Sequence, residues 1–260
     1  MAVTYRVPEV ALAYEWMDGA GPVLVFCSGY GSDMGGAKAM YLWEFCAGRG
    51  QAMLRFDYAG HGASGGRFVD GCIGDWMADA AHILETLLPE RKLVLVGSSM
   101  GGWIALLLAQ RLRARVAGML LIAPAPDFTE DILHRRLSAQ QRAALRRDGV
   151  MYPPSAYGAP LPLTWKLLED GAAHLLLGGE IALDCPVRIL HGMRDAQVPW
   201  RQSLQLAECL AGADVRLVFL KDGDHRLSRA QDLALLLEAV APLLSQNGGQ
   251  PLAVGGVAPA

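Results

Sequence analysis

The chain has 260 residues, 52% of them hydrophobic and 19% charged, with 23 basic against 26 acidic side chains and a formal net charge of −3. That much apolar material builds a sizeable core and excludes wholesale disorder; without surplus positive charge, nucleic acid is not expected as a partner. No uninterrupted apolar run reaches the roughly 18 residues of a transmembrane segment. The richest runs, 104–109 and 233–244, are short or broken by Gln110, Glu238 and Pro242.

In chain order, the N-terminal MAVTYRVPEV carries neither a basic segment ahead of an apolar core nor the Arg- and Ser-rich character of a transit peptide. Short apolar runs then alternate with helical patterns. Segments 23–27 (VLVFC), 52–56 (AMLRF), 93–96 (LVLV), 119–123 (MLLIA), 187–190 (VRIL) and 215–220 (VRLVFL) read as strands. Most are continuously apolar rather than alternating, as suits strands covered on both faces of a parallel sheet. Helical spacing marks 36–47, 75–88, 100–112, 200–210 and 228–244, with 100–112 apolar nearly all round and therefore buried. Strand and helix in alternation predict an α/β fold, a mostly parallel sheet with helices on both faces.

The rhythm breaks between Pro124 and Pro186, about sixty residues without a convincing strand, more than an ordinary crossover needs. Segments 127–137, 138–147 and 163–177 look helical, separated by the turn-rich MYPPSAYGAP. A helical cap at about 125–184, inserted into a single domain over residues 1–246, is the expectation. Five arginines there (Arg135, Arg136, Arg142, Arg146 and Arg147) suggest either an anion-preferring site or a solvated helix face, and the second is favoured because Arg142 and Arg146 share one side. Residues 247–260, rich in Gly, Pro and Ala, are expected to be a disordered tail. The five cysteines, Cys27, Cys46, Cys72, Cys185 and Cys209, are odd in number and lack CxxC spacing. They read as small buried hydrophobes of a reduced, cytoplasmic protein rather than as a disulfide framework or zinc site.

The strongest local signal is Gly97-Ser98-Ser99-Met100-Gly101, directly after LVLV and directly before a helix. A strand turning sharply into a helix presents its apex residue, Ser99, above the sheet edge, while flanking glycines allow strand and helix to approach. The helix start also aims free N–H groups and a positive dipole end at the Ser99 oxygen. A serine hydroxyl needs a base, and there are six histidines to choose from. His82 lies in an amphipathic helix, and His134 and His174 lie in the cap. His61 (DYAGHGASGG) follows a strand and could face the site; His191 (RILHGMRD) sits at a strand end, where its ring could stabilise the following turn. His225, beyond the last predicted strand, is favoured by position and by the chain order nucleophile, acid, base. The acid is then Asp195, past the end of VRIL, with Asp222 and Asp224 as turn-aspartate alternatives. Oxyanion donors are expected from the backbone N–H of Met100 and, in the loop SGYGSDMGG, of Tyr30. That loop does not fit G-x-G-x-x-G, and no P-loop, H-E-x-x-H or clustered metal-ligand set appears, so no cofactor or metal is expected.

With these residues placed, the chain resembles a serine hydrolase of the α/β-hydrolase superfamily over roughly residues 23–244. Within it the resemblance is to the branch of acyl-glucuronide esterases and palmitoyl-protein thioesterases. SGYGSDMGGAKA, RFDYAGHGASGG, VGSSMGGW, CPVRILHGMRDAQVPW and DHR carry it. The resemblance implies a sheet of about eight strands, a helical cap, Ser99 as nucleophile, Asp195 as acid, His225 as base, and Tyr30 and Met100 at the oxyanion positions. It gives the 57–64 loop a shaping role at the strand-to-helix turn, with Asp57 and His61 structural. The implied activity is cleavage of a carboxylic ester or thioester, on a small molecule or an acylated protein, through an acyl-enzyme. An acyltransferase on the same scaffold, or a non-catalytic binding module, is the alternative; a carboxylate-nucleophile dehalogenase or epoxide hydrolase is excluded by Ser99.

Overall fold

The computed structural model describes residues 10–154 and 160–245, so the tail expected at 247–260 lies outside the described residues. Strands β1 (Tyr14–Met17), β2 (Ala20–Cys27), β3 (Gln51–Phe56), β4 (Leu93–Ser98) and β5 (Val116–Ile122) come first in the chain. Two short strands, β6 (Val150–Met151) and β7 (Leu163–Thr164), follow, then β8 (Val187–Gly192) and β9 (Val215–Leu220). Seven of them form one sheet in the order β1-β3-β2-β4-β5-β8-β9. Every pairing is parallel except β1 against β3. This is the α/β-hydrolase fold, with seven strands in the sheet where about eight were expected.

The continuous apolar runs are explained by burial on both faces, since successive strand residues point to opposite sides. Val23, Val25 and Cys27 of β2 and Leu93 and Leu95 of β4 join one core with helices α2 (Ile73–Leu87) and α3 (Met100–Arg111). Leu24, Phe26, Val94 and Val96 join a second core with α1 (Ala37–Ala47). Each such side chain is worth about 1.5–3 kcal/mol relative to exposure. Helix α3 is buried on nearly all sides, as its all-round apolarity predicts.

Between β5 and β8 the chain forms α4 (Phe128–Asp131), a π-helical turn (Ile132–Arg136), α5 (Ala139–Asp148) and α6 (Trp165–Gly171). Helix α5 opens on a capping box: Ser138 Oγ accepts from Gln141 N at 3.2 Å while Gln141 Oε1 accepts from Ser138 N at 2.9 Å. It closes at Gly149, whose φ of +80° suits glycine. Two expectations need correcting. The region is not strand-free, because β6 and β7 pair antiparallel, and the helix expected over 163–177 is α6 alone, begun by Thr164 Oγ1 accepting from Leu167 N at 3.1 Å. Asp127 ties the ends of the segment together, its carboxylate accepting from the amides of Leu176 (2.9 Å) and Leu177 (2.8 Å). Two helices complete the described chain, α7 (Arg201–Cys209) after β8 and α8 (Ala230–Ser245) after β9.

Candidate active site

Parallel strands running one way through the sheet deliver their following loops to one edge. Ser99 follows β4, the loop at 28–36 follows β2, Asp57 and His61 follow β3, Asp195 follows β8 and His225 follows β9. The loops after β8 and β9 are clasped together, Met193 N donating to Leu220 O at 2.8 Å and Arg194 N to Gly223 O at 2.9 Å.

Ser99 has φ 55° and ψ −121°, a conformation an L-residue adopts only under constraint. The constraint is visible. Ser99 N donates to Ile122 O at 2.9 Å, and Ser99 O accepts from Gly102 N at 2.8 Å and Ala125 N at 3.1 Å. A Cβ at Gly97 would lie 2.3 Å from Gly101 O, and one at Gly101 would lie 2.0 Å from Cys27 O. The two glycines of the motif are there because the elbow closes onto backbone.

His225 Nε2 lies 3.0 Å from Ser99 Oγ, and His225 Nδ1 lies 2.6 Å from Asp195 Oδ2. Asp195 is ionised and only accepts, so the imidazole carries its proton on Nδ1 and turns the Nε2 lone pair toward the serine. The Asp195 side chain is wholly buried. Burial pushes its carboxyl up, but the hydrogen bonds from His191 and His225, the imidazole charge and the Val198 amide outweigh that and hold it well below the usual carboxylate range. Its Oδ1 accepts from Gln197 N and Val198 N, both at 2.8 Å.

The other sequence candidates lie in different bonds. Asp222 pairs with Arg229 at 2.7 Å, and Asp224 Oδ1 accepts from the amides of Arg226 and Leu227. His191 is buried beneath the site, its Nε2 3.1 Å from both Asp195 Oδ2 and Val198 O, so it does brace the turn after β8. His61 Nε2 accepts from Gly31 N at 3.3 Å while Nδ1 faces Ala59 O at 3.3 Å. Burial lowers its pKa, consistent with a neutral ring.

The loop at 28–36 passes directly over the serine. A Cβ at Gly29 would sit 3.4 Å from Ser99 Cβ. Asp57 Oδ1 accepts from Met34 N at 2.7 Å and Oδ2 from Ala63 N at 2.9 Å, so the loop after β3 holds the loop after β2 at two points, through Asp57 and through His61. Sequence reasoning treated this pair as structural at their own turn and missed what they hold. Among the described residues the Tyr30 N–H has no acceptor, and Met100, first in α3, has none within its helix. The Tyr30 ring packs edge-on against Phe68, Trp76 and Phe128.

The arginines of this segment are engaged with near neighbours, except that Arg136 also donates to Gln197 O on the loop after β8. Arg135 and Arg136 pair with Asp131, Arg147 with Asp148, Arg142 donates to Leu133 O, and Arg146 lies over the Trp165 ring. Arg135, Arg136, Arg146 and Arg147 are exposed and Arg142 is half-buried, an arrangement nearer to the solvated face than to an anion site.

A hydroxyl, an imidazole and a buried carboxylate in one hydrogen-bonded row can move a proton off the hydroxyl as its oxygen attacks an electrophile. The same chain matches, over residues 20–164, the model of the Hydrolase_4 family (serine aminopeptidase, S33). It is 36% identical over 242 residues to the palmitoyl-protein thioesterase ABHD10, mitochondrial, of Rattus norvegicus, covering 92% of this chain and 81% of that protein. A monoacylglycerol lipase of Mycolicibacterium smegmatis is 26% identical over 90% of this chain and 92% of its own. Among solved structures, alpha/beta hydrolase domain-containing protein 10 from mouse superposes with a TM-score of 0.86 at 34% identity, covering 94% of this chain and 97% of that one. A protein from Agrobacterium vitis S4 does so with a TM-score of 0.88 at 43% identity, covering 94% and 98%. Fold and family thus define an enzyme, a serine hydrolase on the α/β-hydrolase scaffold. The chain belongs to the Hydrolase_4 (serine aminopeptidase S33) family and is similar to the ABHD10 thioesterases.

Proposed function

We propose that the protein hydrolyses carboxylic esters or thioesters through an acyl-enzyme, with Ser99 as nucleophile, His225 as base and Asp195 as the acid that orients it. The observation that carries the reading is the unbroken row from Ser99 Oγ through His225 to Asp195 Oδ2, at 3.0 and 2.6 Å. Ser99 Oγ attacks the acyl carbonyl carbon as its proton passes to His225 Nε2, giving a tetrahedral oxyanion and an imidazolium. The amides of Tyr30 and Met100 stabilise that oxyanion, each donor being worth about 10²–10³ in rate. The imidazolium returns its proton to the departing alcohol or thiol, leaving the acyl group on Ser99. Water then repeats the sequence, giving its proton to His225 and releasing the free acid. Every proton comes from serine, imidazole or water, so the cycle calls for no cofactor.

Residues 125–184 serve as a cap over this site within a catalytic unit spanning residues 1–246. The relatives' names, palmitoyl-protein thioesterase and monoacylglycerol lipase, point to a fatty acyl group on a small molecule or on a protein as the substrate class. A cytoplasmic location fits five unpaired thiols; no helix among the described residues is long and apolar enough to cross a membrane. The test is active-site labelling with a fluorophosphonate, with turnover of a p-nitrophenyl ester series from acetate to palmitate. Wild type labels and turns over, whereas Ser99→Ala does neither. Equal labelling of the two proteins would rule out the mechanism.

A further inference from the structure

Beneath the proposed catalytic row lies a second histidine that the reaction does not use. His191, the penultimate residue of β8, is fully buried, as is the Asp195 carboxylate it faces. Its Nε2 lies 3.1 Å from Asp195 Oδ2 and 3.1 Å from Val198 O, and its Nδ1 lies 2.7 Å from the hydroxyl of Ser203, itself buried on α7. Both groups at Nε2 only accept, so that nitrogen carries the proton and Nδ1 takes the Ser203 hydroxyl proton. The carboxylate is thus gripped on every side but one. Oδ1 is held by the amides of Gln197 and Val198, Oδ2 by His191, and the one direction left open on Oδ2 is filled by His225 at 2.6 Å.

We propose that His191 is a positioning residue: it fixes the Asp195 carboxylate, and through it sets the orientation and basicity of His225. This rests on the catalytic reading given above. The physical argument is a competition for one oxygen. Both imidazoles donate to Asp195 Oδ2, and each donor draws off part of its negative charge. Removing the buried donor leaves more charge facing His225, strengthens the hold on its imidazolium, and lets the carboxylate rotate. The base then keeps its proton to higher pH and meets Ser99 less often in line.

Other ionisable groups lie on the loops that carry Asp195 and His225 and on α1. Arg194 stands beside Asp195 on the loop after β8, and Asp224 and Arg226 flank His225 on its own loop. From α1, Lys38 Nζ donates to Arg226 O at 2.6 Å. The Asp195 carboxylate itself accepts from His191, His225 and the amides of Gln197 and Val198, so a change confined to His191 is read through that carboxylate.

The experiment is the pH profile of kcat/KM for ester turnover by the full chain, in wild type, His191→Leu, His191→Asn and His191→Gln, with Ser99→Ala as control. Glutamine can place an N–H donor near the position of Nε2; leucine has none, and the shorter asparagine amide reaches toward Ser203 rather than Asp195. The Leu and Asn variants are expected to lose about tenfold in kcat with KM unchanged, because His191 does not touch substrate. Their acid limb moves up by about half a pH unit or more. The Gln variant is expected to return the limb toward its wild-type position. The Asn variant covers the case in which His191→Leu fails to fold. In wild type, nitrogen NMR of labelled histidine is expected to give His191 as the Nε2–H tautomer. An unmoved acid limb in Leu and Asn, or an Nδ1–H tautomer at His191, overturns the proposal. If Ser99→Ala retains turnover, the catalytic reading itself fails; if Ser99→Ala is dead and the limb is unmoved, only the role of His191 falls.

Discussion

At Ser99 a single residue is held in a backbone conformation that costs of order 1–3 kcal/mol, and the neighbouring glycines are what permit it. Gly101 is the sharper case, since a methyl group there would meet the carbonyl oxygens of Cys27 and Ser28 at 2.0 and 2.5 Å, both backbone. Gly101→Ala is therefore expected to destabilise by about 3 kcal/mol or more and to displace Ser99 from His225. Thermal unfolding together with an ester assay checks this, and a variant that melts with the wild type would refute the close approach. A second expectation concerns the imidazole: on the proposed mechanism it must be neutral to accept the serine proton, so kcat/KM falls as the medium is made acidic. A profile that stays flat into acid would contradict His225 as base. That the side chains of Ser99, Asp195 and His225 come together was legible in the sequence because each follows a strand at one sheet edge in a fixed order. The bonds made by His61 to the loop over the serine, and by His191 to Asp195, were not. The first is a side chain reaching backbone thirty residues away and the second a side-chain pair across a turn, and neither strand nor helix periodicity encodes them.

Most of the strands that sequence pattern revealed are buried on both faces; β9, found from its apolar run although it is only half-buried, is the exception. Strands β2, β3, β4, β5 and β8 are covered on both faces and read as apolar runs. Strand β1, YEWM, is half exposed and antiparallel, and its place depends on Glu15 pairing across the register with the buried Arg55 of β3. Four residues with a charge in the middle give no periodic signal. The two-residue pairing of β6 with β7 is shorter still. The segment between β5 and β8 is organised by a side chain instead of a period: Asp127, in a left-handed conformation at φ 57°, collects the amides of Leu176 and Leu177. Burial raises its carboxyl above the usual range, with those two amides pulling the other way. Asp127→Ala would leave two partly buried amides without that acceptor, at a cost of about 1–3 kcal/mol. The loosening is expected to be local. Hydrogen exchange should quicken across α4 to α6 while β4 and β5 keep their protection, and uniform exchange through the whole chain would show that Asp127 is no separate anchor.

At the scale of the whole molecule, two buried carboxylates have been shifted in opposite directions, and they give stability a definite pH dependence. Asp195 lies below its unfolded value; its contribution is present above about pH 4 and is lost as pH falls toward its folded pKa. Asp79, buried on α2, is raised to about 6, chiefly by burial, although its carboxylate accepts from Ala59 N at 2.8 Å. Its sign is the reverse. The protonated form is the one the fold favours, so its contribution is complete below about pH 4 and is lost as pH rises through 6. The full shift corresponds to about 3 kcal/mol. Asp79→Asn keeps an oxygen for the Ala59 amide and cannot ionise. At pH 8 the variant is expected to be more stable than wild type by about 2 kcal/mol, some 5 °C in Tm, and at pH 4 the two should melt together. Asp195→Asn has the opposite profile: it loses stability at neutral pH and converges on the wild type only in acid. Thermal unfolding of both variants at pH 4, 6 and 8 separates the two effects. If Asp79→Asn tracks the wild type at every pH, the ionised carboxylate is accommodated on α2 at no cost, and the shift assigned to its burial is wrong.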